Sequence, residues 1–154
     1  MKKILLIIFT SILLLTGCEK DYSEEKEKYI NYIKEIKEVN KTSDNLPFNI
    51  EVKYDKLTSN EIRYQVILDN VQEDIYDVEM LSIHNKETND VFPSIGIFDD
   101  KENLLKDKKP SGLILVGYID YNGKVEDFKC KMKVMIKYKT NDKKSYKVYY
   151  VTKK

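Results

Sequence analysis

The sequence has no tryptophan, one histidine and only two cysteines, Cys18 and Cys130, among its 154 residues. Two cysteines are too few for a Cys-rich metal site, and glycine-rich phosphate-binding loops are also absent. His84 has no serine or cysteine beside it in a known nucleophile motif, so a catalytic triad has no support in the sequence. We therefore expect His84 to be a surface or strand-end imidazole, and we predict no catalytic residue and no cofactor.

The N-terminal residues have the organisation of a cleaved export signal. Lys2 and Lys3 precede an apolar run from Ile4 to Leu15. The 12 positions of this run fall short of the roughly 20 that a membrane-spanning helix needs. Cleavage is therefore the preferred interpretation.

The motif Leu15-Thr16-Gly17-Cys18 at the end of this run resembles the lipobox of bacterial lipoproteins. The resemblance implies that residues 1–17 are a lipoprotein signal peptide and that the Cys18 thiol receives a diacylglycerol. The mature protein would then be lipid-anchored at the extracytoplasmic face of the cell membrane, because more than one acyl chain gives a stable anchor. The alternatives are an ordinary signal peptide or an N-terminal membrane helix, each with an incidental cysteine.

The mature chain is almost neutral. Without Lys2 and Lys3, 25 basic residues accompany 26 acidic ones, so the overall charge implies no polyanionic partner. With Cys18 lipidated, Cys130 has no cysteine left for an intramolecular disulfide. Cys130 lies on the apolar face of its predicted strand, as is typical of an inert buried thiol.

Residues 18–45 are predicted to form a lipid-anchored tether with one amphipathic helix over about 22–40. Apolar residues fall on one helical face at Tyr29, Tyr32, Ile33, Ile36 and Val39. Asp21 and Glu24 are compatible with a capping box at its start. The apolar stripe has three candidate contacts: the following domain, the membrane, or a partner helix. The acidic first turn favours the domain, because anionic lipid would repel it.

From residue 46 the apolar period drops to two, which is typical of strands with one buried face. Strands are predicted at about 48–54, 62–68, 75–84, 91–98, 113–121, 128–138 and 145–152. The apolar phase shifts between Met80 and Leu81, which indicates a bulge or a change of sheet. Seven strands with short turns predict a mainly β fold, with an antiparallel sandwich over residues 46–154 preceded by the helix.

From Ile62 onward, the order of strands and acidic turns resembles the immunoglobulin-like domains of small surface lipoproteins of Gram-positive bacteria. The resemblance implies an immunoglobulin-like antiparallel β-sandwich of about seven strands. The disulfide and the core tryptophan of antibody-type domains are missing, which argues against that subclass.

Two charged stretches are candidate ligand surfaces. Asp99, Asp100 and Glu102 lack the ligand spacing of an EF-hand, so we prefer a solvated turn to a calcium site and predict no metal. Four lysines share one face of the predicted strand 128–138, where side chains recur about every 6.6 Å: Lys129, Lys131, Lys133 and Lys137. They are candidate contacts for teichoic acid or anionic headgroups. Alternatively, solvent-facing lysines keep sheets of different molecules from pairing.

These patterns predict an extracytoplasmic lipoprotein that acts as a non-enzymatic binding or protein-interaction module at the cell envelope. Its expected partners are the membrane, through the N-terminal lipid, and envelope proteins or anionic wall polymers. No nucleic acid is expected, because a lipoprotein of this kind faces the wall. The alternative is an enzyme, or an accessory subunit of one, acting on cell-wall polymers. A transporter's substrate-binding lipoprotein is disfavoured, because such proteins usually have two larger α/β lobes.

Overall fold

The computed structural model describes residues 21–109 and 112–153. The predictions for the signal peptide and for Cys18 lie outside these residues. The described part has one α-helix, α1 (Ser23–Glu38), and one short 3-10 helix (Val125–Asp127). Neither has the length and the apolar run that crossing a bilayer requires. Its strands are β1 (Asn49–Thr58), β2 (Glu61–Asp69), β3 (Ile75–His84), β4 (Ser94–Ile95), β5 (Glu102–Leu104), β6 (Leu113–Asp120), β7 (Met132–Lys139) and β8 (Ser145–Val151).

The strands form two antiparallel sheets that share one hydrophobic core. The first sheet has the order β1-β2-β6, and the second has the order β4-β3-β7-β8 with β5 also paired to β3. In the lettering of the immunoglobulin fold, β1, β2 and β6 occupy the positions of strands A, B and E. The opposite sheet, in the order β4, β3, β7 and β8, occupies those of C′, C, F and G. The predicted fold class, an immunoglobulin-like antiparallel sandwich preceded by one helix, is therefore confirmed, with eight strands in the described residues.

The core between the sheets is built by strict alternation along the strands. On β2, every second side chain is at most 1% exposed: Ile62, Tyr64, Val66 and Leu68. The ring of Tyr64 lies against Gly117 of β6, where a Cβ atom would come within 2.2 Å of it. Gly117 therefore provides the space that the largest fully buried side chain occupies.

The helix α1 covers the outer face of the second sheet. Its buried residues Tyr29, Tyr32 and Ile36 pack with the outward-facing residues of β3 and β7, including Leu81 and Met135. The two faces of β3 are therefore both buried, since Met80 belongs to the core between the sheets and Leu81 to the helix contact. The interpretation that the helical stripe packs on the following domain is confirmed.

The bulge in β3 does not lie at the predicted position, because the ladder with β7 is continuous across Met80 and Leu81. The apolar phase changes there because both faces of β3 are buried. The register with β7 shifts between Tyr76 and Glu79, and Asp77 between them has a positive φ of 51°. The Asp77 amide donates a hydrogen bond of 2.9 Å to Asn103 Oδ1, which replaces a ladder bond that the bulge removes. Beyond the bulge, Glu79 shares the helix-facing side with Leu81.

Three strand predictions need correction because they depend on partner strands. The predicted strand 91–98 is reduced to β4, and β5 forms in the stretch that the sequence analysis assigns to an acidic turn. The predicted strand 128–138 begins only at Met132, because Met132 pairs with His84 and β3 ends there. Residues before Met132 retain the alternation, since Phe128 and Cys130 pack against the core, but they have no ladder partner.

The predicted capping box is also wrong. Tyr22 is the N-cap residue of α1, and its carbonyl accepts the first helical hydrogen bond, from the Lys26 amide at 3.0 Å. Asp21 lies one residue earlier, where its Oδ1 accepts a hydrogen bond of 3.0 Å from the Ser23 amide. The carboxylate therefore still satisfies an amide at the helix start, but from outside the cap position.

If α1 is an integral part of the sandwich, removing its buried apolar contact should destabilise the protein. Ile36 is fully buried, whereas Ile30 of the same helix is 50% exposed. Ile36→Ala should lower the free energy of unfolding by about 2–5 kcal/mol, and Ile30→Ala should change it by less than about 0.5 kcal/mol. Urea denaturation followed by circular dichroism measures both. Equal, small effects would contradict the packing of α1 on the sheet.

Candidate binding cleft

The four lysines of the predicted basic face do not form one exposed stripe. Lys133 and Lys137 lie on β7, on the outer face of the second sheet beneath α1. Lys129 and Lys131 precede β7 and line a cleft at the open edge of the sandwich. The two pairs therefore have different surroundings and need separate interpretation, and polyanion binding by the four lysines stays a prediction.

Lys133 and Lys137 help to hold the helix. Lys133 Nζ donates a hydrogen bond to the Lys37 carbonyl in the last turn of α1, where a cation also complements the helix dipole. Lys137 Nζ donates a hydrogen bond of 3.3 Å to the Tyr32 hydroxyl. On the neighbouring strand, Lys147 forms an ion pair of 2.7 Å with Glu35 of the helix. The basic face of the sheet is thus largely used within the molecule.

A buried carboxylate, Glu79, lies at the centre of the helix contact and is 1% exposed. Its Oε1 lies 2.8 Å from Lys28 Nζ and 2.8 Å from Lys101 Nζ, and its Oε2 accepts a hydrogen bond of 2.9 Å from Tyr32. Burial acts to raise the pKa of Glu79, but the bonds from Lys101, Lys28 and Tyr32 outweigh it and lower the pKa. Glu79 is therefore ionised at neutral pH, and its partners come from α1 and from the stretch before β5.

A cleft of about 1030 Å³ lies between β1, the segment before β7 and the end of β8. Its apolar wall is the core-facing side of β1, formed by Ile50, Val52 and Tyr54. These three side chains are only half-buried, although their partners on β2 are fully buried. Tyr150 and Val151 of β8 line the same cleft.

An aromatic group closes one end of the cleft. The ring of Phe128 makes edge contacts with Tyr54 and Tyr121, at centroid distances of 5.2 and 4.9 Å. The Tyr54 hydroxyl is buried beside the Cys130 thiol, and no oxygen or nitrogen atom of the described residues bonds to it. Burial, reinforced by the nearby thiol, raises the pKa of Tyr54.

Cys130 lines the cleft and is half-buried rather than enclosed. Its sulfur lies 3.7 Å from that of Met132, and burial raises the pKa of its thiol. The inward orientation expected from the alternation is confirmed, because Cys130 packs against the core. The cleft gives reagents a route to this thiol that the sequence does not reveal.

Three lysines form the basic rim of the cleft: Lys129, Lys131 and Lys153. Two hydrogen bonds with Asn85 fix the backbone position of Lys131. The backbone amide of Lys131 donates a 2.8 Å bond to Asn85 Oδ1, and the backbone amide of Asn85 donates a 3.2 Å bond to the Lys131 carbonyl. The next residue is fixed in the same way, because the Met132 amide donates a 2.9 Å bond to Thr152 Oγ1. The rim is thus built on restrained backbone.

The chain between α1 and β1 protects the edge of β8. The Val151 amide donates a 3.0 Å bond to Thr42 Oγ1, and the Tyr149 amide donates a 2.9 Å bond to Ser43 Oγ. The Ser43 amide in turn donates to the Tyr149 carbonyl at 2.8 Å. An exposed strand edge is a site for pairing with other chains, and here the tether occupies it. Thr42 also lines the cleft.

His84 is the last residue of β3, as expected of a strand-end imidazole, but it is 9% exposed and hence not at the surface. Its ring makes edge contacts with Tyr64 and Phe92, and burial lowers its pKa. Asp90 lines the same small cavity of about 250 Å³. Ser82, two residues before His84 on the same face of β3, is fully buried, so a substrate cannot reach its hydroxyl.

The acidic stretch after β4 is engaged in local structure. Asp99 Oδ1 accepts a hydrogen bond of 2.6 Å from the amide of Gly96, a residue with a φ of 72°. A Cβ atom at Gly96 would lie 2.3 Å from the Val78 carbonyl oxygen, so this turn requires glycine. Within residues 21–109 and 112–153, no group of three His, Cys, Asp or Glu side chains is placed to hold a metal ion.

No protein-family model matches this chain, and comparison with curated proteins and with solved structures finds no match. Function must therefore be inferred from the geometry of the chain's own residues.

The bonds to Glu79 predict an acid-dependent contribution to stability. Because its pKa is lowered from an ordinary value of 4.5, this contribution is complete above that value and is lost as the pH falls through the lower folded-state pKa. Glu79→Gln should therefore reduce the free energy of unfolding at neutral pH, and the difference from wild type should shrink below about pH 4.

Urea denaturation from pH 7 to pH 3 measures this difference, with Glu87→Gln as the control because Glu87 is an exposed loop carboxylate. A Glu79→Gln effect that stays constant across this range would show that the carboxylate charge does not stabilise the helix contact.

Proposed function

We propose that this protein is a lipid-anchored lipoprotein of the extracytoplasmic membrane face, whose sandwich is a non-enzymatic binding module with its site in the cleft. The observation that carries the proposal is the half-buried apolar face of β1 above a cleft of about 1030 Å³. Ligand sites in proteins are concave, mostly apolar, and about 300–1,000 Å³ in volume. The cleft has this size and this chemistry.

The energetics of β1 support the same proposal. Ile50, Val52 and Tyr54 pack against the core on one side and contact solvent in the cleft on the other. Each Å² of apolar surface that a ligand removes from water contributes roughly 25 cal/mol to binding. An apolar ligand therefore gains free energy from the surface that the fold leaves uncovered.

The anchor would hold this site close to the membrane. Five residue steps separate Cys18 from Ser23, where α1 begins, and a chain of that length spans at most about 17 Å. Because α1 is packed on the sheet, the whole sandwich would be confined near the headgroups once Cys18 carries lipid.

The lipid anchor can be tested with the two cysteines of the chain. Cys18→Ala should abolish the incorporation of labelled palmitate and the retention of the processed protein in the membrane fraction. Cys130→Ala is the matched control, because it removes the other thiol and leaves the lipobox unchanged. Equal labelling of the wild type and the Cys18→Ala variant would contradict the assignment.

The cleft can be tested through Cys130, which is the remaining free thiol if Cys18 is lipidated. With the full lipoprotein in phosphatidylcholine nanodiscs, decan-1-ol should slow the alkylation of Cys130 by N-ethylmaleimide, because the alcohol would cover the thiol in the cleft. The reaction is run at mildly alkaline pH, since burial raises the pKa of this thiol and the thiolate is the reactive form.

Val52→Asp should remove the protection, because it places a charge in the apolar wall. Asn49→Asp is the matched control, because Asn49 is an exposed residue of β1 outside the cleft and the substitution also adds one negative charge, and it should keep the protection. Rapid alkylation of the wild type at saturating alcohol would exclude the cleft as an apolar binding site.

A further inference from the structure

We infer that the ligand of this cleft is a single-chain lipid with an anionic head, of the fatty-acid class, whose carboxylate is bound by Lys129, Lys131 and Lys153. The inference rests on the proposed function, because it specifies which apolar ligand occupies the same cleft. It follows from where the charges lie, from which of them are already paired, and from the shape of the apolar wall.

The charge of the rim is positive and is not neutralised within the described molecule. No ion pair or side-chain hydrogen bond joins the amino groups of Lys129, Lys131 and Lys153 to a described residue. By contrast, Lys28, Lys101, Lys139 and Lys147 all form ion pairs of 2.7–2.8 Å. The lysines that lie around the cleft are thus available to an external anion.

The acidic residue of the rim does not cancel this charge. Glu51 lines the cleft, but its carboxylate pairs at 3.1 Å with Lys53 of the same strand. A further cation lies close by, because Lys86 Nζ is 5.4 Å from the centre of the Phe128 ring at the end of the cleft. The rim therefore complements one negatively charged group.

The apolar wall decides between an amphiphile and a free anion. A free phosphate or a wall polymer would use the lysines alone and would leave Ile50, Val52 and Phe128 in contact with water. A molecule with an acyl chain covers that surface while its head remains at the basic rim. The volume of about 1030 Å³ is just above the roughly 300–1,000 Å³ range of small-ligand sites, so the cleft is large enough for one such molecule.

The test compares dodecanoate with dodecan-1-ol, which has the same chain length and no charge, in the full lipoprotein in phosphatidylcholine nanodiscs. The readout is protection of Cys130 from N-ethylmaleimide. Dodecanoate should give half-maximal protection at a concentration roughly tenfold below that of the alcohol, as expected for several solvent-exposed ion pairs acting together.

The triple variant Lys129→Gln, Lys131→Gln, Lys153→Gln should abolish this preference while leaving protection by the alcohol unchanged. The control variant carries Lys34→Gln, Lys106→Gln and Lys143→Gln, three exposed positions outside the cleft. It removes the same net charge and should retain the preference. Comparison of the two variants therefore separates the local effect of the rim lysines from the effect of the overall charge.

Equal protection by acid and alcohol in the wild type would overturn the inference and leave the proposed apolar cleft intact. Loss of the preference in the control variant, or its survival in the rim variant, would also overturn it, because the discriminating charges would lie elsewhere. Protection by neither compound would overturn the inference and the proposed site together.

Discussion

The second sheet has buried apolar side chains on both faces, and this constraint determines how the rest of the chain is arranged. On β7, Val134 and Ile136 face the other sheet while Met135 between them faces outward, and all three are fully buried. An outer apolar face of this kind must be covered by another element, and α1 covers it. The chain that leaves α1 then passes the free edge of β8, where Thr42 and Ser43 bond to it before β1 begins. The packing of α1 on the second sheet thus covers the outer face of that sheet and also places the following residues along the edge of β8.

Within that contact, a buried charge fixes the position of the helix. Apolar packing is non-directional, so Tyr29 and Ile36 alone would tolerate some sliding of α1 over the sheet. Glu79 does not tolerate such sliding, because its hydrogen bond to Tyr32 and its ion pair with Lys28 require both residues at defined places on the helix. A shifted helix would leave a buried carboxylate without its full set of partners, which is strongly destabilising. We interpret the ionic cluster as a device for positional specificity, while the surrounding apolar residues supply most of the stability.

The sequence was sufficient to predict the longer elements, since the spacing of apolar residues, every second residue in a strand and every third or fourth in a helix, is a local property of the chain. It predicted α1, five of the six long strands (β1, β2, β3, β6 and β8), and the inward orientation of Cys130. It failed where the outcome depends on a partner: β5 exists because β3 is beside it, and β7 begins only where His84 supplies a partner to Met132. The lysines show the same limit, because alternation assigns Lys133 and Lys137 to a face but does not reveal that a helix lies over it. The cleft was missed because the apolar alternation of β1 does not show how far the second sheet covers its core-facing side.

The composition of β1 connects this asymmetry to function. Ile50, Val52 and Tyr54 are half-buried, so polar side chains at these positions would remain solvated and would avoid exposing apolar surface to water. The chain has apolar residues at all three, and places unpaired lysines rather than further apolar residues around the opening. For stability alone this is an inferior arrangement, since the uncovered apolar area contributes nothing to the core. The ligand that we propose, with an apolar part against β1 and an anionic part at the rim, would supply the missing cover. On this proposal, stability and binding place opposite demands on β1, and its apolar residues serve binding.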